Sequence, residues 1–183
     1  SLAMNDLSFR ILEKFPEPEF SRLSREAFSD YEPSQLLADV AADEAIASSR
    51  LTAADADAHA LRIGCFRGDV LLAWTYARLA EGRQLHMTNS GVALAERCRG
   101  IYSRLVELTI AYARDHGCTV IASRHAANNN AVIVAKLKLG FFVSGFEYSE
   151  VYGPLVRLTY LVGELRRALH QARSRPIRRA EPI

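Results

Sequence analysis

Between Gln84 and Ala122 the chain reads strand, short loop, long helix, strand, and this succession narrows the fold more than any other feature. The loop is Arg97-Cys98-Arg99-Gly100-Ile101-Tyr102, and the helix after it carries Ile101, Leu105, Leu108 and Tyr112, a stripe suited to lying on a sheet. Gly117 stops the helix, and Cys118 to Ala122 is an almost continuously apolar run, as a buried strand requires. Strand, helix and strand in this order predict a right-handed crossover and a parallel strand pair.

The flanking segments predict a mixed sheet around that crossover. Phe9 to Phe15 reads as a first strand ending at Pro16. Pro18 opens a helix to about Tyr31, and a second helix is expected from Pro33-Ser34 through Leu36, Leu37 and Val40. Leu51 to His59 has no clear period and reads as a loop or frayed helix. From Ala60 the period becomes two. Three antiparallel strands follow, turning at Arg67-Gly68-Asp69 and Glu81-Gly82-Arg83 and ending with Gln84 to Val92. After the crossover, Asn128-Asn129-Asn130 can cap a helix over 131–139 that Gly140 ends. Phe141 to Tyr148 and Leu155 to Val162 form a last antiparallel pair. The fold class is α/β, a mostly antiparallel sheet with one parallel junction and helices on both faces.

Composition sets outer limits. The 183 residues suit one domain with a substantial core, and no apolar run approaches the about 18 residues of a membrane helix. Residues 1–4 read as a possible leader with no secretory signal behind them. Cys65, Cys98 and Cys118 are odd in number and widely spaced, so neither a disulfide framework nor a zinc site is indicated, and a reduced cytoplasmic setting is expected. Six arginines after residue 163 make a basic helix or tail over 164–183, while the rest of the chain is mildly acidic. Nucleic-acid binders usually carry a basic face within the fold, so the tail reads as a solvated end.

Chemistry gathers at the loop. The first amides of a helix lack internal partners, and the helix dipole is positive there, so Arg97, Arg99 and Gly100 mark an anion site. Walker A spacing and the three-glycine dinucleotide fingerprint are both absent. The order of elements, with Arg97-x-x-Gly100, Asn129 and Gly140-Phe141, resembles the GNAT superfamily of N-acetyltransferases over roughly Leu61 to Val162. The resemblance implies a single acetyltransferase domain over 5–163 with acetyl-CoA as cosubstrate and no metal. It implies that Val92, Ala93 and Leu94 contact pantetheine. Arg97, Cys98, Arg99, Gly100, Ile101, Tyr102 and Ser103 would hold the pyrophosphate, with Asn129 also at the cofactor. Tyr102 stands where the family has a second glycine or alanine.

The implied reaction is direct attack of a substrate amine on the thioester, which needs a base, an oxyanion stabiliser and a proton donor for the thiolate. His86, six residues before Val92, is the candidate base or relay. Lys136 occupies the position where the family often has a tyrosine donor. It could donate a proton, or be a surface lysine on a CoA phosphate; Tyr102, Tyr148 and Tyr152 are alternative donors, and His125 could face the acceptor. Asp39, Asp43, Glu44, Asp55 and Asp57 lean toward a cationic amine as acceptor. A homodimer is a further expectation from the resemblance. The competing readings are a non-catalytic acyl-CoA-binding module, which the Lys136 departure favours, and a nucleic-acid-associated protein using the arginine tail.

Overall fold

The computed structural model describes residues 6–29 and 60–174. The expected helix after Pro33, the loop before Ala60, the acidic residues 39–57 and the end of the basic tail lie outside the described residues.

Among the described residues seven strands form one sheet in the order β1-β2-β3-β4-β5-β7-β6. They are β1 (Leu7–Ile11), β2 (Ala60–Arg67), β3 (Val70–Ala80), β4 (Gln84–Val92), β5 (Val120–Ala126), β6 (Phe142–Ser149) and β7 (Gly153–Leu161). All neighbours are antiparallel except β4 and β5. Among the described residues four α-helices accompany them, α1 (Glu19–Ala27), α2 (Ile101–Asp115), α3 (Asn130–Lys138) and α4 (Glu164–Arg173). Among the described residues no helix is long and apolar enough to cross a membrane.

The hairpin turns take positive φ at Gly68 (58°) and at Gly82-Arg83 (71° and 62°), which glycine adopts without steric cost and Arg83 adopts as the second residue of its turn. The first strand is shorter than the pattern from Phe9 to Phe15 suggests. It stops at Ile11 because Leu12 and Phe15 turn over the sheet edge, where Phe15 stacks on Phe20 of α1 with ring centroids 4.4 Å apart. α1 ends at Ala27, short of Tyr31.

The core divides by face. On one face α2 buries Ile101, Leu105, Val106, Ile110 and Ala113 against Ile63, Cys65, Ala77, Leu85, Met87, Ile121 and Leu158. The buried ridge therefore runs one residue C-terminal to the expected stripe from its second turn onward. Leu108 and Tyr112 are only partly buried, and Thr109 satisfies its hydroxyl on the Leu105 carbonyl at 2.8 Å. On the other face α1 lays Leu23 against Phe66, Leu71 and Trp74. Trp74 fills the space over Gly91, where an added Cβ would lie 2.2 Å from the indole, so this close approach requires glycine.

Candidate active site

Two local features create an opening in the middle of the sheet. β4 and β5 pair only from Gln84↔Val120 to Met87↔Ser123. At that point β4 carries a bulge: Met87 pairs with Ala77 and Asn89 with Tyr76, leaving Thr88 as the extra residue. A bulge bends its strand and adds twist, which carries β4 away while β5 continues beside β7 to Ala126↔Leu155. The strands part immediately beyond Met87 and Ser123, leaving a wedge-shaped gap toward Val92.

The open end of the gap leads into the loop before α2. Gly100 is the N-cap residue at φ 84°, and space around it is empty: an added Cβ would meet nothing within 4 Å. Among the described residues, no hydrogen bond engages the backbone N–H groups of Cys98 through Ser103, which precede or open the helix. These amides and the positive end of a 15-residue helix fit a diphosphate.

The side chains of the loop shape it. Arg97 donates from Nη2 to the Ala27 carbonyl at 3.0 Å and from Nε to the Val92 carbonyl at 3.4 Å, tying the end of α1 to the end of β4. Buried Glu96 accepts from Arg67 at 2.7 and 3.2 Å and from Arg99 at 3.4 Å, and the Arg67 guanidinium holds its carboxyl below the usual range. Tyr102 packs its ring into the core, and burial raises its hydroxyl pKa. Only the backbone of Tyr102 faces the loop, which is how the chain accommodates a large residue there. Cys98 is exposed at φ 61°. Ala93 donates to the Leu72 carbonyl at 2.8 Å, so strand alternation turns the amides of Val92 and Leu94 toward the gap. Leu94 N–H there meets Glu26 Oε1 of α1 at 2.8 Å. Asn129 caps α3, accepting from Val132 N–H at 3.4 Å through its side chain.

Lys136 lies at the apex of the wedge. It is 1% exposed, which removes the reading of a surface lysine on a CoA phosphate. Helix α3 turns its last residues under the sheet, and Nζ donates to Ser123 Oγ at 2.7 Å and to Met87 Sδ at 3.4 Å. Nζ also stands 4.9 Å from the centre of the Phe141 ring. Burial draws its pKa down to about 7. Ser123 Oγ is in turn 2.9 Å from His125 Nε2, and burial lowers His125 to about 3, so this imidazole is neutral. Ser123 has one hydroxyl hydrogen, so it accepts from Lys136 and can donate that hydrogen in a hydrogen bond to His125.

His86 lies on the other face. Met87 reaches Lys136, and adjacent strand residues point oppositely, so His86 projects toward the α1 side. Burial lowers its pKa first, followed by the charges of Arg124, Arg157 and Lys136. His86 and Lys136 thus flank the apex from opposite sides of the sheet. Tyr148 and Tyr152 are 79% and 62% exposed, on β6 and in the turn after it. Ser123 escaped the reading of the sequence; the available signal was a hydroxyl directly after the apolar run Val120 to Ala122, two residues before a histidine.

No protein of curated function matches the sequence. Solved structures share the fold at low identity. The ribosomal-protein-S18-alanine N-acetyltransferase from Escherichia coli aligns at TM-score 0.65 and 16% identity, over 86% of this chain and 97% of its own. An N-acetyltransferase from Staphylococcus aureus aligns at 0.63 and 15%, over 87% and 100%. A candidate streptothricin acetyltransferase from Bacillus anthracis, solved in complex with acetyl coenzyme A, aligns at 0.52 and 14%, over 56% and 62%. The sequence profile of the acetyltransferase (GNAT) family matches residues 9–141, from the first strand through the bulged β4, the amide-lined loop and the helix bearing Lys136, and the chain belongs to that family.

Proposed function

We propose that the protein moves an acetyl group from acetyl-CoA to a primary amine of a small molecule or peptide, with both substrates bound together. The observation that carries this reading is the continuity of the unengaged amides of Cys98–Ser103 with the gap between β4 and β5, at whose apex Lys136 is buried. Acetyl-CoA, when bound, supplies an activated acyl carbonyl and a thiolate leaving group.

The residues of the chain divide the remaining work. The loop amides and the α2 N-terminus bind phosphate oxygens, and the positive charges of Arg97 and Arg99 stand beside them. The backbone of Val92 to Leu94 lies along the pantetheine arm in the gap, and the Leu94 N–H exchanges its Glu26 partner to bond the arm. His86, kept neutral, takes a proton from the acceptor nitrogen on the α1 face. Lys136 holds a transferable proton at Nζ on the opposite face, with Ser123 and neutral His125 fixing its direction. A pKa of about 7 suits a donor at neutral pH, and a lysine held at this value favours a working enzyme over a module that only binds acyl-CoA.

Thiol release measured with acetyl-CoA and a panel of amines, with mass analysis of the acceptor, tests the reading. Acetylated acceptor formed in step with free thiol is expected. Neither thiol release nor a rise in melting temperature at millimolar acetyl-CoA, with folded protein, overturns it.

A further inference from the structure

The α1 face of the sheet is unevenly charged around His86. Directly across β3 from His86 stands Arg78. On β5 its partner is Ala122, and Arg124 follows two residues on, on the same face. Arg124 is directly opposite Arg157 on β7. Like charges placed opposite one another across a ladder are destabilising. Glu147 relieves part of this through a 2.9 Å ion pair with Arg124, and it is the only carboxylate on the strands of this face among the described residues. Arg157 makes no side-chain hydrogen bond or ion pair among the described residues. Its other cross-strand neighbour is Gly145, above which an added Cβ would meet nothing within 4 Å. Gly145 has no positive φ; it closes the bulge between Val143 and Gly145, and its missing side chain leaves room beside the guanidinium.

Resting on the proposed acetyltransferase activity, we infer that the acceptor carries an anionic group as well as its amine, a carboxylate in the simplest case, and that Arg157 reads it in the space over Gly145 with Arg124 beside it. Three guanidinium groups and one carboxylate around the base repel an acceptor that brings only an ammonium. An amine that also carries an anion is neutral overall, pairs with Arg157 through charge-assisted hydrogen bonds, and leaves its nitrogen free to approach His86. The same positive surroundings favour loss of the ammonium proton, which the reaction requires. The described wall of the acceptor side is therefore basic, in contrast to the acidic residues 39–57 that lean toward a cationic substrate.

The experiment compares ω-amino acids from glycine to aminohexanoate with their primary amides and with diamines of matching length. Two readouts are used, kcat/KM for thiol release and binding to CoA-loaded protein by calorimetry. The acid is expected to exceed its amide by about ten- to a hundredfold at the best chain length, the worth of one hydrogen bond to a charged group. In Arg157→Gln that ratio falls toward one, and Arg157→Lys retains part of it. Equal use of acid and amide, a preference for diamines, or a ratio unchanged in Arg157→Gln overturns the inference while leaving acetyl transfer intact. Because binding is read separately, absence of turnover with every acceptor counts against the acetyltransferase reading, and the acid-to-amide binding ratio still decides the role of Arg157.

Discussion

Lys136 Nζ and Ser123 Oγ are 2.7 Å apart at the last rung of the parallel ladder, where β4 and β5 separate. The contact places a lysine of helix α3 at the inner end of the gap, on the face opposite His86. Much of the chemistry proposed for the site follows from this one hydrogen bond.

If Lys136 is the proton donor, activity falls as pH rises through its folded value of about 7 and the ammonium is lost. Lys136→Met is expected to lower kcat by about 10²–10⁴-fold, the usual worth of a general acid, and to abolish that falling limb. Ser123→Ala keeps the lysine but frees its direction, so a smaller loss of kcat with a displaced limb is expected. pH profiles of kcat for the three proteins check both outcomes.

The same burial costs stability. The unfolded lysine titrates near the ordinary 10.5 and the folded one near 7, so between those values the unfolded chain binds more protons. Stability therefore rises with pH across that window, and the full cost is present below about 7. Lys136→Met is expected to raise the unfolding free energy by a few kcal/mol at about pH 6 and by far less near pH 10, read from denaturant titrations at both.

If His86 is the base, it sets the opposite limb. Its pKa is lowered by burial and by the surrounding cations, so the neutral base persists below the ordinary value of 6.5. The wild-type acidic limb is expected below that value. In His86→Ala kcat/KM drops by about 10²–10³-fold and the limb moves toward the pKa of the acceptor amine.

Gly100 tests the loop without touching the chemistry. Its φ of 84° is disfavoured for any residue with a Cβ, although the space around it is open. Gly100→Ala is expected to cost about 1–2 kcal/mol of stability through backbone strain. Acetyl-CoA affinity is expected to fall with it, because the amides proposed to bind the phosphates are displaced. Calorimetry of acetyl-CoA binding and a melting curve separate the two effects.

Periodicity and turn residues made most of the fold legible. β4 runs from Gln84 to Val92 as the period-two pattern indicates, and Asn129 and Gly140 mark the ends of α3 as their side-chain chemistry requires. Phe9 to Phe15 misled, because apolar residues that wrap an edge look the same in sequence as apolar residues in a strand. The face assignments at the site were hidden for a related reason. Thr88 bulges out of the ladder, and one extra residue reverses every side chain beyond it, so neither the gap nor the orientation of Asn89 and Val92 follows from alternation. Ser123 lies on the strand just before α3, but only the sheet order sets β5 beside β4 and β7 beside β5, which brings Met87 to the Lys136–Ser123 pair and Arg157 to the face of His86.

Amide NMR during a titration with CoA tests the central claim most directly, since it reads each backbone N–H separately. The largest shifts are expected at Cys98 through Ser103 and along the end of β4 to Leu94, with saturation at one common dissociation constant. Shifts centred elsewhere, or none in these amides at saturating CoA, would contradict it.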